Sequence, residues 1–259
     1  MADVTVNSIR LHVQRIGTGS DRGTVVFLHG LVMDNLSSWY FTVANTLAGA
    51  YPIVLFDLRG HGKSDRPVSG YHIGDFISDI IELLAMLAIN EPVHLVGNSF
   101  GGLLAVSLAL THPEMVRSIV LVDSHYATPE WKTVMAESLN LRGEEMYRKI
   151  AVSFRHWLGR NSRRKRTRLA DTAKEIVYKT TLVKDLSESK TISDRELRRI
   201  DCPVLGLYGE QSDVRATGEH LSGLLPNFEL RLFPECTHSV LWEKTADVRD
   251  HIAAWVAAH

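Results

Sequence analysis

Short, almost wholly apolar runs recur along this chain: Val25-Val26-Phe27-Leu28, Ile53-Val54-Leu55-Phe56, Val93-His94-Leu95-Val96, Ile119-Val120-Leu121-Val122 and Val204-Leu205-Gly206-Leu207-Tyr208. A strand with one wet face alternates apolar and polar residues. Continuous apolarity means that both faces are covered, as in a parallel sheet with helices on each side. Helical segments fill the gaps: Ile77, Ile80, Ile81, Leu84 and Leu87 recur at three- and four-residue spacing, as do Val248, Ile252, Trp255 and Val256. Near the N-terminus, Val4-Thr5-Val6 and Ile9 to Arg15, broken at Asn7-Ser8, predict an antiparallel hairpin on one edge. The expected fold class is α/β, a mostly parallel sheet flanked by helices.

The strand–helix rhythm stops between Ser124 and Ile200, a charged and mostly helical stretch without strand runs. So long an insertion between two strands is more than a connection and predicts a helical cap over one edge of the sheet. Residues 1–123 and 201–259 are therefore expected to form the core, and 124–200 the cap. With 259 residues, 45% of them hydrophobic, the chain can bury one large core.

A net charge of −1 gives no reason to expect nucleic acid or a membrane surface as partner. Cys202 and Cys236 make neither a disulfide framework nor a zinc site, and are expected to be small buried residues. No metal-ligand spacing appears and no cofactor is expected. The N-terminus lacks a basic region followed by an apolar one, and the longest near-apolar stretch, Ile80 to Ile89, is too short to span a bilayer. A cytoplasmic protein is the default expectation.

Gly97-Asn98-Ser99-Phe100-Gly101-Gly102 sits between the run ending at Val96 and the apolar helix predicted over Leu103 to Leu110. A serine at so sharp a strand-to-helix turn is a candidate nucleophile. Gly97 and Gly101 keep Cβ atoms out of the crowded turn, and Gly102 lets the helix approach the strands. The Phe100 N–H, at the helix N-terminus, can point at a developing oxyanion.

This elbow, with His29-Gly30 after one strand and Asp57-Leu58-Arg59-Gly60-His61-Gly62-Lys63-Ser64 after the next, resembles the α/β-hydrolase fold family. In that family the triad follows the chain order Ser, acid, His. The resemblance implies His238 as base, in the loop after Leu230-Arg231-Leu232-Phe233, and Asp213 as the acid that orients it. Asp123, which ends the strand Ile119 to Val122, is a rival because some family members take their acid there; Glu210 is a third candidate. The resemblance also implies a second oxyanion donor after His29-Gly30: the Leu31 N–H, with Val32 as the alternative. His29 itself is read as structural.

Gly60 to Ser64 ends like a phosphate-binding loop, but Asp57 stands where that loop needs glycine, so nucleotide binding is not supported. Candidate pocket walls are Val32, Met33, Val240, Leu241 and Trp242, with Trp131, Tyr147, Phe154 and Trp157 from the cap. They suit a small-molecule acyl or aromatic substrate. Asn98 in the elbow and Trp242-Glu243 after the histidine resemble the meta-cleavage-product hydrolases, but Gly30-Leu31-Val32-Met33-Asp34-Asn35 lacks that family's Gly-Pro-Gly run.

Ester or thioester hydrolysis through an acyl-enzyme therefore leads. Carbon–carbon bond hydrolysis, non-hydrolytic acyl transfer or cyclisation, and a small-molecule receptor role are the alternatives. Arg155, Arg160, Arg163, Arg164, Lys165, Arg166 and Arg168 form a basic cluster that reads either as a solvated face or as a guide for an acidic partner, such as coenzyme A or an acyl carrier protein.

Overall fold

The structure is a computed structural model that describes residues 2–18, 23–139 and 163–259. Eight strands form one sheet: β1 (Ala2–Val6), β2 (Ile9–Ile16), β3 (Val25–Leu28), β4 (Ile53–Phe56), β5 (Val93–Asn98), β6 (Val116–Val122), β7 (Val204–Gly209) and β8 (Phe228–Phe233). Their order is β1-β2-β4-β3-β5-β6-β7-β8, with β1 and β2 antiparallel on one edge and parallel pairing from β4 through β8. Asn7 and Ser8 make the hairpin turn at φ 46° and 65°, a left-handed conformation that short polar side chains tolerate.

The runs without alternation are buried on both faces. Val26 and Leu28 of β3 enter one core while Val25 and Phe27 enter the other, and β4 divides in the same way, Val54 and Phe56 from Ile53 and Leu55. The first core is closed by α1 (Ile73–Met86) and α2 (Phe100–Thr111). The second is closed by the short helical stretch through Trp39 and Val43 and by the C-terminal helix Thr245–Ala258, which buries Val248, Ile252 and Val256. Cys236 is buried but Cys202 only partly, so the expectation of two buried cysteines holds for one.

Between β6 and β7 the described residues contain four helices: α3 (Pro129–Leu139), α4 (Arg163–Lys179), α5 (Leu182–Glu188) and α6 (Asp194–Leu197). Trp131, Met135, Ile176, Leu182 and Leu186 join the first core, which fastens these helices beside α1 and the start of α2. Tyr147, Phe154, Trp157, Arg155 and Arg160 lie outside the described residues. Arg163, Arg164, Lys165, Arg166 and Arg168 fall on α4.

A buried ion pair ties the β4 loop to α1. Arg59 donates to both carboxylate oxygens of Asp79, at 2.6 and 2.5 Å, and to the Gly70 carbonyl, with 7% and 3% of the two charged side chains exposed. Two charges so far from water persist because each is matched in a two-point geometry.

Candidate active site

Ser99 directly follows β5 and takes the N-cap position of α2, with φ 51° and ψ −112°. A non-glycine residue held there stores strain that the surroundings must enforce. They do so through close packing. A Cβ on Gly97 would strike the backbone of Gly101 and Gly102, one on Gly101 the Leu28 carbonyl, and one on Gly102 the Ser124 hydroxyl. The Ser99 amide donates to Val122 O at 2.9 Å, and the Ser124 hydroxyl donates to Ser99 O at 2.6 Å.

His238 lies in the loop after β8. Its Nε2 stands 3.1 Å from Ser99 Oγ. Its Nδ1 stands 2.7 Å from Asp123 Oδ2. A carboxylate only accepts, so Nδ1 carries the proton and Nε2 is left to accept from the serine hydroxyl. The expected contact between His238 and Asp213 is corrected here: Asp213 Oδ1 is 3.8 Å from Nδ1, and its side chain is 81% exposed.

The reason lies in the strand ends. Asp123 directly follows β6 at φ 46°, with its amide on Leu207 O at 2.8 Å, and its fully buried carboxylate accepts from the Gly209 amide (2.8 Å), the Ser212 hydroxyl (2.5 Å) and His238. Three donors replace the water that burial removes. On the β7 loop it is thus the Ser212 hydroxyl that meets Asp123, while the side chain of Asp213, the next residue, lies in solvent. Glu210, also exposed, is not at the imidazole.

Burial opposes charge on His238, but the Asp123 hydrogen bond and the negative charges of Asp123 and Asp213 outweigh it, raising its pKa above the usual imidazole value. Of two further neighbours, the sequence pointed to Glu243 only through the Trp242-Glu243 resemblance, without a role, and His125 was missed. Glu243 accepts from the Thr237 amide at 2.7 Å and the Thr237 hydroxyl at 2.8 Å, clamping the residue before His238. The His125 ring lies 6.4 Å from that of His238, and burial together with the charge of His238 pushes its pKa down to about 4, so it stays neutral.

The loop after β3 accounts for its amides one by one. The Gly30 N–H goes to Asp34 Oδ2 at 2.8 Å, the Val32 N–H to His61 Nε2 at 2.7 Å, and the Met33 N–H to Leu31 O at 2.8 Å. Among the described residues no acceptor takes the Leu31 N–H. Val32, the alternative donor, is thereby removed. The close approach of Gly101 to the carbonyls of Leu28 and His29 sets this loop beside the first turn of α2, where the Phe100 amide has no intrahelical acceptor. His29 is a structural tie, bonded to Gly30 O at 2.7 Å and accepting the Leu58 amide at 3.0 Å.

Trp131 stacks on Phe100 with ring centres 6.5 Å apart, which brings α3 to the elbow. Val32 and Met33 line a cleft of roughly 390 Å³ with Leu36, Tyr40 and Phe41. Val240 and Leu241, expected as pocket walls, are instead buried in the second core at 0% and 1% exposure, with Trp242 packed against it. Apolar residues on the short helix Val240–Glu243 serve core packing because that helix lies against the C-terminal helix. Ligating atoms of His72, Asp185 and Glu188 come within 4.8 Å of one another. Asp185 is already committed, accepting from the amides of Gly70 and Tyr71 and from the Thr181 hydroxyl.

A doubly covered parallel sheet with a serine elbow at a strand end and a histidine after the last strand is the arrangement of one fold family. The sequence profile of the alpha/beta hydrolase fold matches residues 23–245, and the chain belongs to that family. It is 31% identical over 160 residues to a 2-(acetamidomethylene)succinate hydrolase from Mesorhizobium japonicum, covering 61% of this chain and about half (54%) of that relative. It is 29% identical over 262 residues to a 2-hydroxy-6-oxononadienedioate/2-hydroxy-6-oxononatrienedioate hydrolase from Paraburkholderia phymatum, covering 93% and 89% of the two chains. The structure also resembles the esterase RhEst1 from Rhodococcus sp. ECU1013, with a TM-score of 0.81, 24% identity and coverage of 98% and 97%. No helix among the described residues is long and apolar enough to cross a membrane.

Proposed function

We propose that the protein is a serine hydrolase that cleaves a carboxylic ester or thioester through an acyl-enzyme. The observation that carries this reading is the line of contacts Ser99 Oγ to His238 Nε2 at 3.1 Å and His238 Nδ1 to Asp123 at 2.7 Å. His238 takes the Ser99 proton as the oxygen attacks the carbonyl carbon. The carbonyl oxygen becomes an oxyanion that accepts from the Leu31 and Phe100 amides. Collapse expels the alcohol or thiol, which leaves with the proton from His238. Water, deprotonated by the same imidazole, then attacks the acyl carbon and frees the acid and Ser99. Asp123 holds the tautomer and balances the imidazolium throughout.

The second reading is hydrolysis of a carbon–carbon bond in a dienone acid. It is favoured by the Paraburkholderia relative, which aligns with most of this chain. Turnover of matched panels of acyl esters, acyl thioesters and dienone acids by wild type and Ser99→Ala separates the readings. Ester or thioester turnover that depends on Ser99 supports the first, and dienone-acid turnover alone replaces it with the second. Residues 124–200 act as a cap in this account, and the basic residues 163–168 on α4 are proposed to attract coenzyme A or an acyl carrier protein.

A further inference from the structure

We propose that His61, which the reaction above does not use, is a positioning residue for the oxyanion site, holding the Leu31–Met33 turn in the conformation that leaves the Leu31 amide free. The inference rests on the serine-hydrolase reading and deepens it. Val32 has φ 66°, in the left-handed region, and the Met33 amide returns to Leu31 O at 2.8 Å, closing a three-residue turn around it. A left-handed turn of this kind is rare, and a β-branched residue at its centre is a steric outlier. The turn persists only if something outside it holds it, and the bond that reaches the centre is Val32 N–H to His61 Nε2 at 2.7 Å.

His61 is built for that bond. Its side chain is buried, its Nδ1 donates to Arg59 O at 2.8 Å, and its ring packs edge-on against that of His29 at 5.2 Å. The Nδ1 proton is therefore spoken for, and Nε2 is a fixed acceptor aimed at one amide. Burial, with the neighbouring His29, pushes the pKa of His61 down to about 3, so Nε2 stays unprotonated at neutral pH. If the tie were lost, Val32 would relax toward negative φ and rotate the Leu31–Val32 peptide. Leu31 lies at the hinge of that rotation, so the adjoining Gly30–Leu31 peptide, which carries the Leu31 N–H, would lose its fixed orientation beside the first turn of α2.

The test compares His61→Phe, which keeps a ring and loses the acceptor, His61→Gln, which keeps an acceptor, and each of them combined with Val32→Gly. Glycine occupies the left-handed region without strain, so it lessens the need for the tie. The expected result for His61→Phe is a kcat lower by about 10²-fold, the size of one lost oxyanion donor, with KM little changed. The midpoint of its pH–rate profile should stay at the wild-type value, because the contacts of His238 are intact.

Adding Val32→Gly should restore at least about tenfold of that loss, and His61→Gln should lie between wild type and His61→Phe. A folded His61→Phe with wild-type kcat overturns the proposal, and so does a loss that Val32→Gly leaves unrepaired. If His61→Phe does not fold, His61→Gln decides: a reduced kcat that Val32→Gly raises supports the proposal, and wild-type kcat or no recovery overturns it. Wild-type turnover that does not depend on Ser99 marks failure of the serine-hydrolase reading itself. Ser99-dependent turnover with no effect at His61 marks failure of this inference alone.

Discussion

His238 bonds through Nδ1 to Asp123, 115 residues earlier in the chain, at 2.7 Å, while Asp213, far nearer in sequence, stands at 3.8 Å in solvent. The account therefore assigns the orienting role to Asp123. Asp123→Asn should lower kcat by about 10⁴-fold, since an amide in that place favours the wrong imidazole tautomer. Asp213→Asn should cost at most about fivefold, the scale of an exposed charge interaction. Steady-state kinetics on one ester substrate checks both, and the reverse ranking would return the acid to the β7 loop.

His238 must be neutral to accept the serine proton, and Asp123 with Asp213 raises its pKa above 6.5. The kcat/KM profile should therefore rise with pH through a single ionisation above 6.5. Asp213→Asn removes one of the negative charges that favour the imidazolium, so its midpoint should move to lower pH. A midpoint unmoved or moved upward in that variant contradicts the electrostatics described for the site.

Much of the fold was legible because parallel strands buried on both faces cannot hide their apolarity. The runs at Val25, Ile53, Val93, Ile119 and Val204 became β3 to β7, and the Asn7-Ser8 break became the hairpin turn. Ser99 and His238 were legible from their positions at strand ends. The acid was not, because Asp123 and Asp213 both follow strands, and only the depth of Asp123 between β5 and β7 separates them. Nor was the oxyanion loop: which amide is left free is decided by Asp34 and His61, whose side chains arrive from elsewhere in space. Val240 and Leu241 misled because an apolar side chain suits a pocket wall and a core equally well.

The Arg59–Asp79 pair predicts a stability effect that is separate from catalysis. Asp79→Ala strands the Arg59 guanidinium in the core and should destabilise the protein by about 3–5 kcal/mol, read as a lower midpoint in urea unfolding. Replacing both residues with apolar ones, Arg59→Met with Asp79→Leu, should recover much of that loss. Equal losses in the single and double variants would mean that the stranded charge is not the cause.

The basic residues on α4 predict a salt effect specific to acidic carriers. If Arg163, Arg164, Lys165 and Arg166 guide coenzyme A or a carrier protein, added salt should lower kcat/KM for such thioesters far more than for a small neutral ester, because screening sets in at about 10 Å in 0.1 M salt. Changing all four to Gln should abolish that difference. Equal salt sensitivity for both substrates would leave the cluster as a solvated helix face.

The central claim is that Ser99 carries the acyl group, and intact-protein mass spectrometry with peptide mapping after a brief reaction with an activated ester reads this directly. The account predicts one acyl adduct per chain, located on Ser99, absent in Ser99→Ala and accompanied there by a fall in kcat of about 10⁴- to 10⁶-fold. An adduct on another residue, or undiminished turnover by Ser99→Ala, would contradict it.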